Sequence, residues 1–165
     1  MLSTPTLLFD FDTNCELLRW AVVDDVVMGG RSDGHLDITE EGHGVFYGDV
    51  SLDNNGGFSS VRYKMNPLEL DGQKMVVVRL KGDGKRYQFR LKENRFDRHS
   101  YVYYFETTGD WQTIEIPFDA MYPSFRGQKL DMPNYSAEKM SEICFLIANY
   151  KKEEFRLVID EIFLD

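Results

Sequence analysis

Carboxylates near both ends of the chain are the first residues that could do chemistry. Asp10 and Asp12 flank Phe11, and Asp160 and Glu161 stand near the C-terminal Asp165. If the terminal strands lie side by side, such oxygen ligands would suit calcium, with Asp10 and Asp160 as the candidate pair. In a chain with 28 acidic residues the plainer reading is a set of solvated surface carboxylates. A second candidate is Gly29-Gly30-Arg31-Ser32-Asp33-Gly34, which has the composition of a phosphate loop. Phosphate loops lead into a helix whose N-terminus holds the anion, but residues 35–39 alternate with period two and read as a strand. His35, His43 and His99 stand in polar, turn-like surroundings and read as solvated side chains; no Cys/His spacing suits zinc, and there is no Gly-x-Ser-x-Gly. Cys144, inside the apolar run from Ile143 to Ile147, reads as a buried thiol rather than a nucleophile. No catalytic constellation emerges. The expectation is a non-enzymatic binding protein without a cofactor, a structural calcium aside.

Binding chemistry has better candidates. Tyr101, Tyr103 and Tyr104 beside Arg90 and Trp111 could form a platform on which a sugar ring stacks, with Arg62 and Glu106 supplying hydrogen bonds. Core packing accounts for aromatics in a small β-protein equally well, and both strand faces carry rings, so periodicity leaves the two readings open. A second group lies in two glycine loops, residues 24–32 and 54–62, each with adjacent glycines, small hydrogen-bonding residues and a large apolar anchor. That composition suits a turning backbone of fixed shape. The loops would form one end of the domain, carrying Asp25, Met28, Gly29, Gly30, Ser32 and Asn55, with Arg62 on the strand below. The plainer role is structural: Asp25 and Asn55 bond the turn backbones while Met28 and Phe58 plug the core.

The elements that must position these residues are strands. Residues 7–11, 35–39, 45–52 and 61–65 are short apolar or alternating runs, the last placing Arg62 and Lys64 on the face opposite Val61, Tyr63 and Met65. Residues 75–80 are β-branched and nearly continuous, as in a strand covered on both sides. Gly82-Asp83-Gly84 turns this run into the alternating Tyr87, Phe89, Leu91. Residues 101–106, 111–116, 143–148 and 155–164 complete the set. Residues 119–140, with Pro123, Gly127 and Pro133, read as a long loop over one end, holding a short helix at 136–140 capped by Ser136. About ten strands with almost no helical period imply a single all-β domain over residues 1–165, a jelly-roll β-sandwich with little helix.

Composition narrows the partners. An apolar content of 42% fills one core in a 165-residue domain. A net charge of -9 opposes attraction to nucleic acid or an anionic membrane surface. No apolar run is long enough to insert into a membrane, the N-terminus shows no secretory pattern, and two cysteines make no disulfide framework. The expected location is cytoplasmic, or peripheral at the inner membrane through a protein partner.

The ordered motifs also resemble a known family. A tryptophan (Trp20), Asp25-Val26-Val27-Met28-Gly29-Gly30-Arg31-Ser32, the strand Gly48-Asp49-Val50-Ser51-Leu52, Asn55-Gly56-Gly57-Phe58-Ser59-Ser60-Val61-Arg62, Leu80-Lys81-Gly82-Asp83-Gly84 and Phe125-Arg126-Gly127 are similar to the complex I intermediate-associated protein family. The likeness runs from about Phe9 to Leu164. It implies a galactose-binding-like β-sandwich and a role as assembly factor or chaperone for a respiratory NADH dehydrogenase, with subunits or assembly intermediates as partners. A carbohydrate-binding module is the alternative.

Overall fold

The computed structural model describes residues 5–25, 30–53 and 56–165. Thirteen strands are found among them: β1 (Thr6–Asp10), β2 (Trp20–Asp24), β3 (Asp33–Ile38), β4 (Gly44–Val50), β5 (Ser59–Glu69), β6 (Met75–Lys81), β7 (Arg86–Lys92), β8 (Ser100–Glu106), β9 (Trp111–Pro117), β10 (Tyr122–Phe125), β11 (Gln128–Lys129), β12 (Lys139–Ile147) and β13 (Glu153–Leu164). They form two antiparallel sheets packed as a jelly-roll sandwich. The first has the order β3-β4-β13-β6-β9, with β1 also paired to β13; the second has the order β11-β10-β8-β7-β12-β5-β2.

Period two decides what each strand buries. Val76, Val78 and Leu80 of β6 meet Tyr87, Phe89 and Leu91 of β7 and Ile143, Phe145 and Ile147 of β12 in one core. The long β13 needs a correction to its period, because Leu157 and Ile159 face the core and so do Ile162 and Leu164. A bulge at Asp160, between the pairs Ile159–Leu80 and Glu161–Arg79, supplies the extra residue that switches the parity. Near the start of the chain, Phe9, Phe11, Trp20 and Tyr63 form an aromatic knot, with Trp20 stacked on Tyr63 at 4.9 Å between centroids.

The helix expected at 136–140 is absent. Ala137 has a left-handed φ of 59°, and Lys139 and Met140 pair with Glu69 and Leu68 of the eleven-residue β5. Five residues offer too few internal hydrogen bonds to compete with a ready sheet edge. The loop expected over 119–140 contains the β10–β11 hairpin, whose strands are too short for periodicity to register.

Candidate functional site

Asp25 organises the loop end. It is 1% exposed and accepts four hydrogen bonds: Ser32 N–H at 2.9 Å, Ser32 Oγ–H at 2.6 Å, Gly57 N–H at 2.6 Å and Phe58 N–H at 3.2 Å. Ser32 Oγ in turn accepts Ser51 N–H at 2.9 Å, so one carboxylate ties together the chain after β2, before β3, after β4 and before β5. Burial pushes the Asp25 carboxyl up, but the hydrogen bonds outweigh it and the net pKa lies below the ordinary aspartate value. A Cβ at Gly30 or Gly56 would overlap the Asp25 carboxylate, which explains glycine at both. The neighbouring Asp24 binds Gly34 N–H at 2.9 Å and the Ser59 hydroxyl. Met28, Gly29 and Asn55 lie outside the described residues. What the end presents to solvent is therefore not Asp25 but residues around it, Arg31 and the 45%-exposed Leu52 among them.

Arg62 and Arg90 converge on the outer face of the second sheet. In register, Arg62 of β5 pairs with Cys144 of β12, Cys144 with Arg90 of β7, Arg90 with Val102 of β8, and Val102 with Tyr122 of β10. One row further, Glu142 lies between Lys64 and Lys92. In the row on the other side, Ser60, Leu146, Gln88 and Tyr104 follow one another. These side chains point away from the core, yet Gln88, Val102, Glu142, Cys144 and Leu146 are all buried. The face is recessed into a cleft of about 200 Å³ whose lining includes Arg62, Arg90, Lys92, Arg98, Arg126 and Glu142. Gln88 Oε1 accepts Arg90 Nε–H at 2.9 Å and Nη2–H at 2.6 Å, fixing that guanidinium with donors to spare. Burial pushes the Cys144 thiol up although Arg62 and Arg90 pull it down, so it stays a thiol. Burial, with the Tyr104 hydroxyl next, pushes Tyr122 up to about 12 and keeps it a neutral donor beside this row.

The aromatic platform is not assembled. Tyr104 lies on β8 of the second sheet and Trp111 on β9 of the first. Each ring carries a guanidinium over one face, Tyr104 that of Arg86 at 3.9 Å and Trp111 that of Arg79 at 5.1 Å. Tyr101 and Phe105 face the core, where most of the aromatic content went. His43 packs edge-on against Trp111 at 4.8 Å and is not simply solvated.

At the calcium candidates, β1 and β13 do pair and place Asp10 opposite Glu161. Asp160, re-aimed by the bulge, faces Arg79 at 3.5 Å and His43 at 3.8 Å. Among the described residues no group of three or more His, Cys, Asp or Glu is gathered for a metal. A wider depression of about 690 Å³ on the first sheet is lined by His35, Asp37, Tyr47, Asp83 and Arg156, but its polar groups largely satisfy one another: Tyr47 donates to Asp37 at 2.7 Å and Arg156 N–H to Asp83 at 2.8 Å.

The model of the Complex I intermediate-associated protein 30 family matches residues 9–159. The chain belongs to that family. Among curated proteins it is similar to the mitochondrial Complex I intermediate-associated protein 30 of Drosophila melanogaster, 26% identical over 147 residues, covering 76% of this chain and 50% of that protein. It is also similar to the mitochondrial protein of that name from Mus musculus, 23% identical over 179 residues, covering 94% of this chain and 55% of that one. The chain thus spans about half the length of these relatives. Their mitochondrial descriptions overturn the cytoplasmic location expected above. That expectation leaned on the absence of a secretory pattern, which carries no weight for a chain matching half of its relatives.

Among solved structures it is similar to a family 11 carbohydrate-binding module of Clostridium thermocellum, with a TM-score of 0.72 at 18% identity, covering 99% of this chain and 95% of that one. A second structure of that module, in complex with a β-1,3-1,4-mixed-linked tetrasaccharide, gives a TM-score of 0.67 at 19% identity, covering 97% and 94%. These establish the carbohydrate-binding-module sandwich as the fold. Among the described residues no helix is long and apolar enough to cross a membrane.

Proposed function

We propose that this domain is an assembly factor for a complex I-like respiratory enzyme, acting through protein–protein contacts with its subunits or assembly intermediates. Membership of the Complex I intermediate-associated protein 30 family over residues 9–159 carries the reading. The bracing of the loop end supports the reading. Asp25 braces the loop end from within, so that Arg31 and Leu52 are held in a fixed arrangement on its exterior at little entropic cost to a partner. Affinity capture of the tagged chain from its own cells, with mass spectrometry after a moderate salt wash, tests it. Respiratory-complex subunits should be recovered, and a paired Arg31→Glu, Leu52→Asp variant with an unchanged melting temperature should lose them. Recovery of no such subunit with the native chain would refute the role; undiminished recovery with the variant would refute the surface.

A second reading, carbohydrate binding, is favoured by the recessed outer face of a sandwich whose structural neighbours are carbohydrate-binding modules. A glycan array tests it. Saturable binding should be lost when Arg62 or Arg90 is replaced, and an empty array would leave only the assembly reading.

A further inference from the structure

The outer face of the second sheet gathers cations that the protein pairs with no carboxylate at ion-pair distance among the described residues. Five cations, Arg62, Arg90, Lys92, Arg98 and Arg126, surround a cleft of about 200 Å³ with one carboxylate, Glu142, in its lining. Glu142 is 6% exposed, and neither an ion pair nor a hydrogen bond engages its carboxylate among the described residues. The Glu142 carboxylate oxygens are not sealed from solvent, so they are open to a donor entering the cleft, and the arginines around it are open to an acceptor. Strands are spaced about 4.8 Å apart, so Arg62 and Arg90, on either side of Cys144, begin about 10 Å apart and can close on one group between them. Arg90 is already held by Gln88, which lowers the cost of ordering it.

Arg126 adds an independent observation. It and Gly127 form the two-residue turn of the β10–β11 hairpin, with φ of 52° and 78°. Such turns favour Asn, Asp or Gly at the first position, because other side chains are strained there. Strain at a cleft margin is a sign that the side chain is wanted for its chemistry.

We propose that this cleft binds a small polyhydroxylated oxyanion, a sugar phosphate or a sugar acid. The arginines take the phosphate or carboxylate, for which their forked donors are suited. Glu142 accepts a hydroxyl of the same ligand, and the hydroxyls of Ser100 and Ser124, also in the lining, supply further partners. A bare anion would leave Glu142 without a donor and a neutral sugar would leave the arginines unmatched, so a ligand carrying both kinds of group matches the lining best. Stacking contributes little, since Arg86 lies over one face of the Tyr104 ring. This inference rests on the chain being a binding domain and not on its assembly role, so failure of protein capture leaves it standing.

Titration calorimetry with glucose 6-phosphate, glucuronate, inorganic phosphate, a neutral glucan tetrasaccharide and an aspartate-rich octapeptide tests it. Glucose 6-phosphate or glucuronate should bind saturably, about tenfold or more tighter than inorganic phosphate or the neutral glucan, and which of the two binds identifies the acid group. Arg90→Ala should weaken that binding about tenfold or more, as should Arg98→Ala, an exposed position where misfolding is not at issue. Glu142→Gln decides the logic: it should weaken the sugar ligand while leaving inorganic phosphate unchanged or tighter. No saturable binding of either sugar, binding of the peptide alone, or a Glu142→Gln variant that tightens the sugar ligand as much as phosphate would each overturn the proposal.

Discussion

Replacing Asp25 by alanine should cost this domain a large part of its stability, because four donors from three residues lose their common acceptor. Hydrogen bonds to a charged group contribute about 1.5–3 kcal/mol each, and the four are not additive. Ser32 Oγ keeps Ser51 as a partner, and water can reach the half-buried Gly57 once the carboxylate is gone. Counting two bonds as fully lost gives about 3–6 kcal/mol. For a chain of this size that lowers the melting temperature by roughly 6–24 °C. The pH dependence is a second check on the same group. Its folded-state pKa lies below the ordinary value, so the stabilisation is complete above the unfolded pKa, near about 4, and is lost as pH falls through the folded one. The melting gap between the native chain and Asp25→Asn should therefore be widest at neutral pH and shrink as the pH falls below the ordinary aspartate pKa, about 4. Scanning calorimetry at several pH values measures both. An Asp25→Ala melting temperature within about 2 °C of the native value, or a gap that widens in acid, would refute the bracing role.

Gly30→Ala should destabilise the domain by about 1–3 kcal/mol, since its Cβ overlaps the Asp25 carboxylate; urea denaturation reads it, and a neutral effect would mean that the loop shifts freely. With an aromatic disulfide reagent at mild alkaline pH, Cys15 should react in the folded protein and the 5%-exposed Cys144 only after denaturant is added; two fast thiols would contradict its burial. Arg126→Asn should stabilise the domain by about 1 kcal/mol by relieving a left-handed arginine, while weakening the binding of the sugar oxyanion. Calorimetric melting and the titration above read the two effects, and a variant no more stable than the native chain would remove the strain argument.

Most strands are legible in the sequence because one face of each is buried, and burial imposes period two. Val76, Val78 and Leu80, or Tyr87, Phe89 and Leu91, announce themselves this way. The misses share a cause. β10 and β11 are four and two residues long, too short to show a period, and Pro123 and Gly127 give that hairpin the look of a loop. At 136–140 local propensity favoured a helix, and the free length of β5 overrode it. The site was half legible. Alternation sets Arg62 opposite Val61 and Tyr63, but nothing local states which face of the Arg90 strand is outward, or that β12 lies between the two strands and brings both arginines to either side of Cys144. Glu142, Lys92, Arg98 and Arg126 were missed for the same reason: each is an ordinary charged residue until sheet order gathers them. Pairing Tyr104 with Trp111 failed because residues seven apart in sequence belong to different sheets.

Sheet order also changes what the net charge means. A total of -9 reads as hostile to anions, and for an extended polyanion it is. Screening limits each charge to about 8 Å at physiological ionic strength, so what enters a cleft is decided by the groups lining it. Here that lining has five cations and one carboxylate, while the acidic excess lies on the rest of the molecule. A nucleic acid strand long enough to leave the cleft would meet that excess and be repelled; a ligand of one or two rings would not reach it. The same distribution that excludes polyanions therefore admits a small oxyanion, and the acidic exterior acts as a size filter around a basic site.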